Sequence, residues 1–285
     1  MKSKSGEVLL KGKTVAISGA TGGIGRELCR SLARLGADLV LLDRNRQKSL
    51  LLIDELRADF PQIEYTHVTV DMEDIGAVRA AADRLADDVK PDYLILNAGA
   101  YSIPRKKCET GFDNVFQINF VSPYFLARRL LGDIEKRGGR IVVVGSIAHN
   151  YSKSDPSDVD FSGRKAASKV YGNAKRYLIY SLIDERVVNV THPGIAVTGI
   201  TGHYPKAVYA LIKYPMKLIF MKPKKASLSV LRGIFDECGE REWIGPRVFD
   251  IWGRPKKKPL RTCTVSEAEY IRKKADEIFC QLEKQ

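Results

Sequence analysis

The sequence predicts an α/β fold: a doubly wound parallel sheet of about seven strands in a three-layer α/β/α arrangement. Three observations predict it. Short apolar, β-branched runs recur along the chain, helical patterns alternate with them, and a glycine-rich turn follows the first run directly. Several runs are apolar throughout, as a strand covered by helices on both faces should be.

The strands are expected at 14–18, 39–42, 65–70, 93–96, 141–144, 187–190 and 248–251. Between the first two, Leu28, Leu32 and Leu35 fall on one helical face, and Gly36 is a stop signal. Leu50, Ile53 and Leu56 repeat that logic after the second strand. Further helices are expected at 77–85 and 170–182. Crossovers between parallel strands are right-handed. Residues 201–223 break the rhythm, with Tyr204, Val208, Leu211, Ile212, Leu218, Ile219 and Phe220 interleaved with lysines. This reads as one or two short amphipathic helices inserted at about 201–225. No Pro/Gly/Ser linker divides the chain, so residues 1–285 are read as one domain.

Composition narrows the class. Hydrophobic residues make up 44%, enough for a sizeable core. Cys29, Cys108, Cys238, Cys263 and Cys280 form no C-x-x-C pair and read as free thiols in a reducing compartment. The N-terminal segment lacks a signal-peptide core, and no apolar run is long enough to span a membrane. The expected location is therefore cytoplasmic. The formal charge of +13 is concentrated late in the chain, around Lys222, Lys224 and Lys225 and around Arg254, Lys256, Lys257 and Lys258. No nucleic-acid motif accompanies it, so a nucleic-acid partner is not expected. No cluster of metal-ligating residues stands out, and no metal is expected.

The glycine turn carries the first functional signal. Ser18-Gly19-Ala20-Thr21-Gly22-Gly23-Ile24-Gly25 joins the first strand to a helix, with Gly19, Gly23 and Gly25 in G-x-x-x-G-x-G spacing. Residues without Cβ let the backbone turn tightly and approach a pyrophosphate, and the helix N-terminus offers free N–H groups to the anion. In this strand–loop–helix context the turn predicts a dinucleotide, NAD or NADP. Asp43 ends the second strand, where a carboxylate accepts hydrogen bonds from ribose hydroxyls and repels a 2′-phosphate. Arg44 beside it suits a phosphate, or lies against the adenine. Weighing the two, the sequence leans to NAD. Asp71-Met72 follows the third strand; the carboxylate binds the adenine amino group or caps a helix.

A second set carries chemistry. Asn97-Ala98-Gly99 follows the fourth strand, where small residues let the chain pass close to a cofactor. Gly145-Ser146 follows the fifth. Tyr171 and Lys175 stand at i, i+4 on one helical face. A carbonyl reduction needs a proton delivered to oxygen as hydride reaches carbon. A nearby ammonium favours the phenolate and tunes a phenol for that exchange, and a serine hydroxyl polarises the substrate oxygen. Tyr209 and Lys213 repeat the spacing but fall in the amphipathic insertion, where apolar packing or a lid role explains them better.

The ordered set Gly19/Gly23/Gly25, Asn97-Ala98-Gly99, Asn119, Ser146, Tyr171/Lys175 and His192-Pro193-Gly194 resembles the short-chain dehydrogenase/reductase family over nearly the whole chain. The resemblance implies one Rossmann-type domain and an NAD- or NADP-dependent exchange between an alcohol and an aldehyde or ketone, without metal. It implies Tyr171 as general acid/base, Lys175 as ribose ligand and tuner of Tyr171, Ser146 as substrate-orienting hydroxyl and Asn119 in a water-mediated proton relay. It implies that Thr21 and Ile24 join the glycine loop at the cofactor, and that Pro193, Gly194 and Thr198 contact the nicotinamide side. Asn119 also reads as a buried helix cap, and His149 and His192 read as structural.

Two features depart from the commonest pattern. The gap from Ser146 to Tyr171 is long, and Gly145 stands where a first serine is frequent. The long gap, Ser146-Ile147-Ala148-His149, and Trp243-Ile244-Gly245-Pro246 before the expected last strand are similar to the retinol-dehydrogenase-like branch. The insertion is expected to form a substrate lid over a lipophilic alcohol, aldehyde or ketone. Its lysine-rich edges suggest peripheral contact with an anionic membrane surface, and the family resemblance leaves a homo-oligomer open. Two competing classes are a non-catalytic nicotinamide-binding sensor or scaffold and a sugar-nucleotide epimerase or dehydratase. The intact Ser146/Tyr171/Lys175 set argues against the first, and the glycine spacing against the second.

Overall fold

In the computed structural model, which describes residues 9–195 and 221–284, eight strands form one sheet in the order β3-β2-β1-β4-β5-β6-β7-β8. They are β1 (Thr14–Ser18), β2 (Asp38–Asp43), β3 (Tyr65–Thr69), β4 (Tyr93–Leu96), β5 (Arg140–Val144), β6 (Val188–Thr191), β7 (Glu242–Val248) and β8 (Trp252–Pro259). The first seven pair in parallel, and β8 adds an antiparallel edge.

Side chains alternate across the sheet. Val15, Ile17, Val142 and Val144 face one layer, with α1 (Gly23–Arg34) and α2 (Arg46–Asp59). Ala16, Ile141 and Val143 face the other, with α3 (Ile75–Arg84). That second layer also holds a rod formed by α4 (Asn114–Phe116), a π-helical turn at Gln117–Val121 and α5 (Ser122–Lys136), followed in the chain by α6 (Ala167–Leu182). After the gap come α7 (Pro223–Phe235), packed on α1 in the first layer, and α8 (Val265–Glu283), packed on α6 in the second. Strand order reverses between β1 and β4. Their carboxyl ends therefore splay the following loops apart and open a crevice, the place where ligands bind in open α/β sheets.

The expected strand at 248–251 is a correction. Phe249 and Asp250 adopt left-handed backbone, φ 48° and 57°, and form the turn between β7 and β8. Trp243–Pro246 lies inside β7, the strand that precedes the last one, β8. Gly245-Pro246 reads as a stop, yet β6 pairs only as far as Ile244, so the missing Pro246 N–H costs no hydrogen bond on that side. Of the expected insertion, 201–220 lies outside the described residues. Pro223–Lys225 forms the first turn of α7, whose Val230 and Ile234 are core residues.

Candidate active site

The glycine loop is shaped by close backbone contacts. Gly19 has φ +68°, and a Cβ there would sit 2.9 Å from the Ala98 Cα. A Cβ on Gly25 would lie 2.2 Å from the Gly19 oxygen. No side chain caps the start of α1, which opens at Gly23, so its first N–H groups remain available for an anion. Ser18 Oγ accepts from the N–H groups of Asn97 and Ala98, both at 3.0 Å, and Asn97 Nδ2 donates to the Ser18 and Gly19 carbonyls. These bonds tie the loops after β1 and β4 into one floor.

Two cavities lie on that floor and share Gly99. The larger, ≈ 750 Å³, is lined by Gly19, Thr21, Asp43, Arg44, Lys48, Asp71, Met72 and Ala98, among others. The smaller, ≈ 260 Å³, is lined by Ile24, Asn97, Tyr101, Ser146, Ile147, Tyr151, Tyr171, Lys175, Pro193, Gly194 and neighbours. The expected adenosine-end and chemistry-end residues thus separate into adjoining halves of one crevice. Thr198 lies outside the described residues.

Within the smaller cavity Tyr171 packs edge-on against Tyr101, ring centroids 5.3 Å apart. Burial pushes the Tyr171 phenol up to about 12, while its hydrogen bond with Ser146 pulls the other way. Lys175 Nζ donates to the Val144 carbonyl at 3.0 Å and lies 5.9 Å from the Tyr171 ring centre. Burial draws its ammonium down to about 8. A Cβ on Gly99 would lie 3.6 Å from that nitrogen, so the loop after β4 runs directly past the lysine.

Asn119 is buried in the π-helical turn. Its Nδ2 donates to the Ala100 and Val115 carbonyls, and its Oδ1 accepts from the Ala100 N–H. It pins the 97–101 loop to the rod and lines neither cavity. Asp43 is 7% exposed: Oδ1 accepts from Thr21 N–H and Oγ1, and Oδ2 from Ser49 Oγ. Burial raises its carboxyl to about 6 against those bonds. Arg44 is well exposed and reaches Asp71 at 3.9 Å. Asp71 accepts from Glu73 N–H, while Asp74 caps α3, so the expected capping role belongs to Asp74. His149 and His192 are buried against Trp243, and burial lowers both to about 4.

Sequence reasoning missed several contributors. Lys48 and Ser49 come to the adenosine end from α2. Gly172 lets α6 approach the Ile147–Asn150 turn: a Cβ would sit 2.3 Å from the Ala148 oxygen. A glycine inside a helix costs stability, and that cost is a readable sign of close approach. Behind the site, Arg176 forms a bidentate pair with Glu267 of α8, at 2.7 and 2.6 Å, and donates to the His149 and Thr262 carbonyls. Nothing in local spacing links those positions.

An anion-ready helix start, a split crevice and a phenol–hydroxyl pair beside a lysine define a nicotinamide-dependent oxidoreductase. The comparisons agree: the profile for short chain dehydrogenases matches residues 13–204, and the chain belongs to that family. It is an NAD(P)-dependent enzyme of the alcohol–carbonyl class. It is 33% identical to mouse (Mus musculus) retinol dehydrogenase 12 over 68% of this chain and 65% of that protein. It is 27% identical to mouse polyprenol dehydrogenase over 90% of this chain and 81% of that protein. A crystal structure from Mycobacterium paratuberculosis shares the fold at TM-score 0.71 and 21% identity, covering 95% of this chain and 94% of the other. Among the described residues no helix is long and apolar enough to cross a membrane, and no group of three or more His, Cys, Asp or Glu is arranged to hold a metal.

Proposed function

We propose that this chain interconverts a lipophilic alcohol and its aldehyde or ketone, with NADP(H) preferred over NAD(H). The observation that carries the reading is the convergence of Ser146, Tyr171 and Lys175 in one cavity adjoining the glycine loop. The loop suits a dinucleotide, because a Cβ at Gly19 or Gly25 would strike backbone and spoil the tight turn that leaves the first N–H groups of α1 uncapped. Gly19, Thr21, Gly23, Ile24 and Gly25 hold the pyrophosphate end; Asp71, Met72 and Ala98 border the adenosine; Pro193 and Gly194 border the nicotinamide. The bound cofactor supplies or accepts the hydride.

The side chains do the rest. The Ser146 hydroxyl donates to the substrate carbonyl oxygen and holds it beside Tyr171. The Tyr171 phenol, protonated at neutral pH, gives its proton to that oxygen in reduction and takes it back in oxidation. Lys175 carries its charge below about pH 8 and stabilises the phenolate left by that transfer. Asn119 acts by fixing the loop that passes Lys175.

Two features support the finer points. Asp43 spends both oxygens on Thr21 and Ser49, which weakens it as a ribose ligand, while Arg44 and Lys48 offer two cations at the same end. This reverses the lean toward NAD drawn from sequence. Ile24, Val144, Ile147, Ala148, Tyr101 and Tyr151 give the smaller cavity an apolar lining, and two relatives are named for retinol and polyprenol. The test is nicotinamide absorbance with NADH and NADPH against aldehydes and ketones of increasing chain length. Turnover should rise with chain length and with NADPH. No turnover by the wild type, or normal turnover by Tyr171→Phe, defeats the reading.

A further inference from the structure

The β7–β8 hairpin carries a surface that neither the core nor the crevice uses. Phe249 holds left-handed backbone, a conformation better suited to Asn or Gly, and its ring is 80% exposed. The fold gains nothing from that ring. Trp252 is 43% exposed. A register shift between Pro246 and Val248 puts a bulge in β8 just after Trp252, which pairs with Val248, so Trp252 stands apart from the regular alternation of Arg254 and Lys256. All three are exposed around the tip, and the exposed Arg247 stands just before the turn. Asp250, the acid at the turn, is neutralised by Lys258 at 2.7 Å. The turn also borders the catalytic cavity: His192 Nε2 meets the Asp250 carbonyl at 2.9 Å, and Ile195 N–H donates to the Ile251 carbonyl.

We propose that this hairpin tip docks the enzyme on an anionic lipid bilayer. Phe249 and Trp252 enter the headgroup region, where amphipathic and aromatic rings settle, and Arg247, Arg254 and Lys256 meet the lipid charges. A second copy is a poor occupant. β8 is the sheet edge, and edge-to-edge pairing would bring two rows of cations together. Single-stranded nucleic acid also accepts rings and cations, but it favours a groove that tracks its backbone, and this surface is a protruding turn. Docking places the mouth of the catalytic cavity at the membrane. Delivery of substrate from the bilayer rests on the lipophilic reading above; docking itself does not.

The chain has two tryptophans, and Trp243 is 3% exposed, so a change on lipid addition reports Trp252. Vesicles of equal parts phosphatidylcholine and phosphatidylserine should sediment the wild type at low salt and move its emission to shorter wavelength. Pure phosphatidylcholine should do neither. Arg254→Gln and Lys256→Gln should each weaken binding about fivefold. Phe249→Asn, which suits the turn, should lower vesicle binding several-fold yet leave turnover of a short water-soluble aldehyde unchanged. That unchanged turnover separates failure of docking from failure of the catalytic reading. The proposal is overturned if the wild type ignores the mixed vesicles, if Phe249→Asn with Trp252→Ser binds them as tightly as wild type, or if Trp252 responds to single-stranded DNA and not to lipid.

Discussion

Gly172 and the Ala148 carbonyl stand so close that a Cβ at 172 would lie 2.3 Å from the oxygen. That approach sets the spacing between α6, which carries Tyr171, and the turn that begins at Ser146. Gly172→Ala should push the two apart. A displacement of about 1 Å in a reacting group costs on the order of 10²-fold in rate. The variant should therefore bind NADPH normally and lose about that much kcat, measured by steady-state kinetics and cofactor titration. Unchanged kcat would show that the Ser146–Tyr171 spacing has slack.

The Tyr171–Ser146 hydrogen bond leads to a second expectation. Phe at 171 keeps the ring, and with it the edge-on contact to Tyr101. It removes the proton that reduction needs. Tyr171→Phe should lose about 10²–10⁴-fold in kcat with an unchanged dissociation constant for NADPH. Ser146→Ala should lose less, because the phenol remains. Equal losses in kcat and cofactor affinity would instead mean that the ring supports the cofactor seat.

Six strands are legible in the sequence because each is a short run rich in apolar or β-branched residues. The β7–β8 hairpin is not, because Gly245-Pro246 imitates a stop and β8 is a polar edge strand with no apolar alternation to find. The C-terminal helix hides differently. Ala268, Ile271, Ala275, Ile278 and Leu282 recur at helical spacing, but charged neighbours mask them. At the site, Tyr171 and Lys175 are legible because one helix turn sets their separation. The engagement of Asp43 by Ser49 is not, since the same carboxylate could face ribose or protein, and only the packing of α2 decides.

That engagement bears on cofactor choice. Arg44 is loosely held by Asp71 at 3.9 Å, so its guanidinium is available to a 2′-phosphate. A charge-assisted hydrogen bond contributes about 1.5–3 kcal/mol. Arg44→Ala should raise the KM for NADPH about tenfold or more and leave that for NADH unchanged. Parallel weakening of both cofactors would place Arg44 against the adenine instead.

Arg176 and Glu267 tie α6 and α8 together behind the site, with side chains only 3% and 13% exposed. Burial alone would raise the Glu267 carboxyl, but its bonds from Arg176 and Ser154 hold it at about 2, below the ordinary 4.5. A depressed acid adds stability that is fully present above about pH 4.5 and is lost as pH falls toward 2. Glu267→Gln leaves a buried guanidinium unmatched, at a cost of about 3–5 kcal/mol near neutrality. Urea midpoints of wild type and variant should differ most at neutral pH and converge below about 4.5. A constant gap across acid pH would assign the loss to packing rather than charge.

Lys175 is the reverse case, a group that weakens the fold it serves. Burial lowers its ammonium from 10.5 to about 8, and within the protein its nitrogen donates to the Val144 carbonyl. Between those values the unfolded chain binds more protons than the folded one, so stability rises with pH through that window. Below about pH 8 the whole penalty is present, about 3 kcal/mol by the size of the shift. Lys175→Met removes the buried charge and keeps the bulk, while losing one hydrogen bond of about 1 kcal/mol. The variant should be inactive, yet more stable than wild type by about 2 kcal/mol at neutral pH, with the advantage gone once pH exceeds 10.5. Urea denaturation at neutral and alkaline pH measures both. A variant no more stable than wild type at neutral pH would mean that the protein already compensates the ammonium, and that the lysine is retained at no cost to folding.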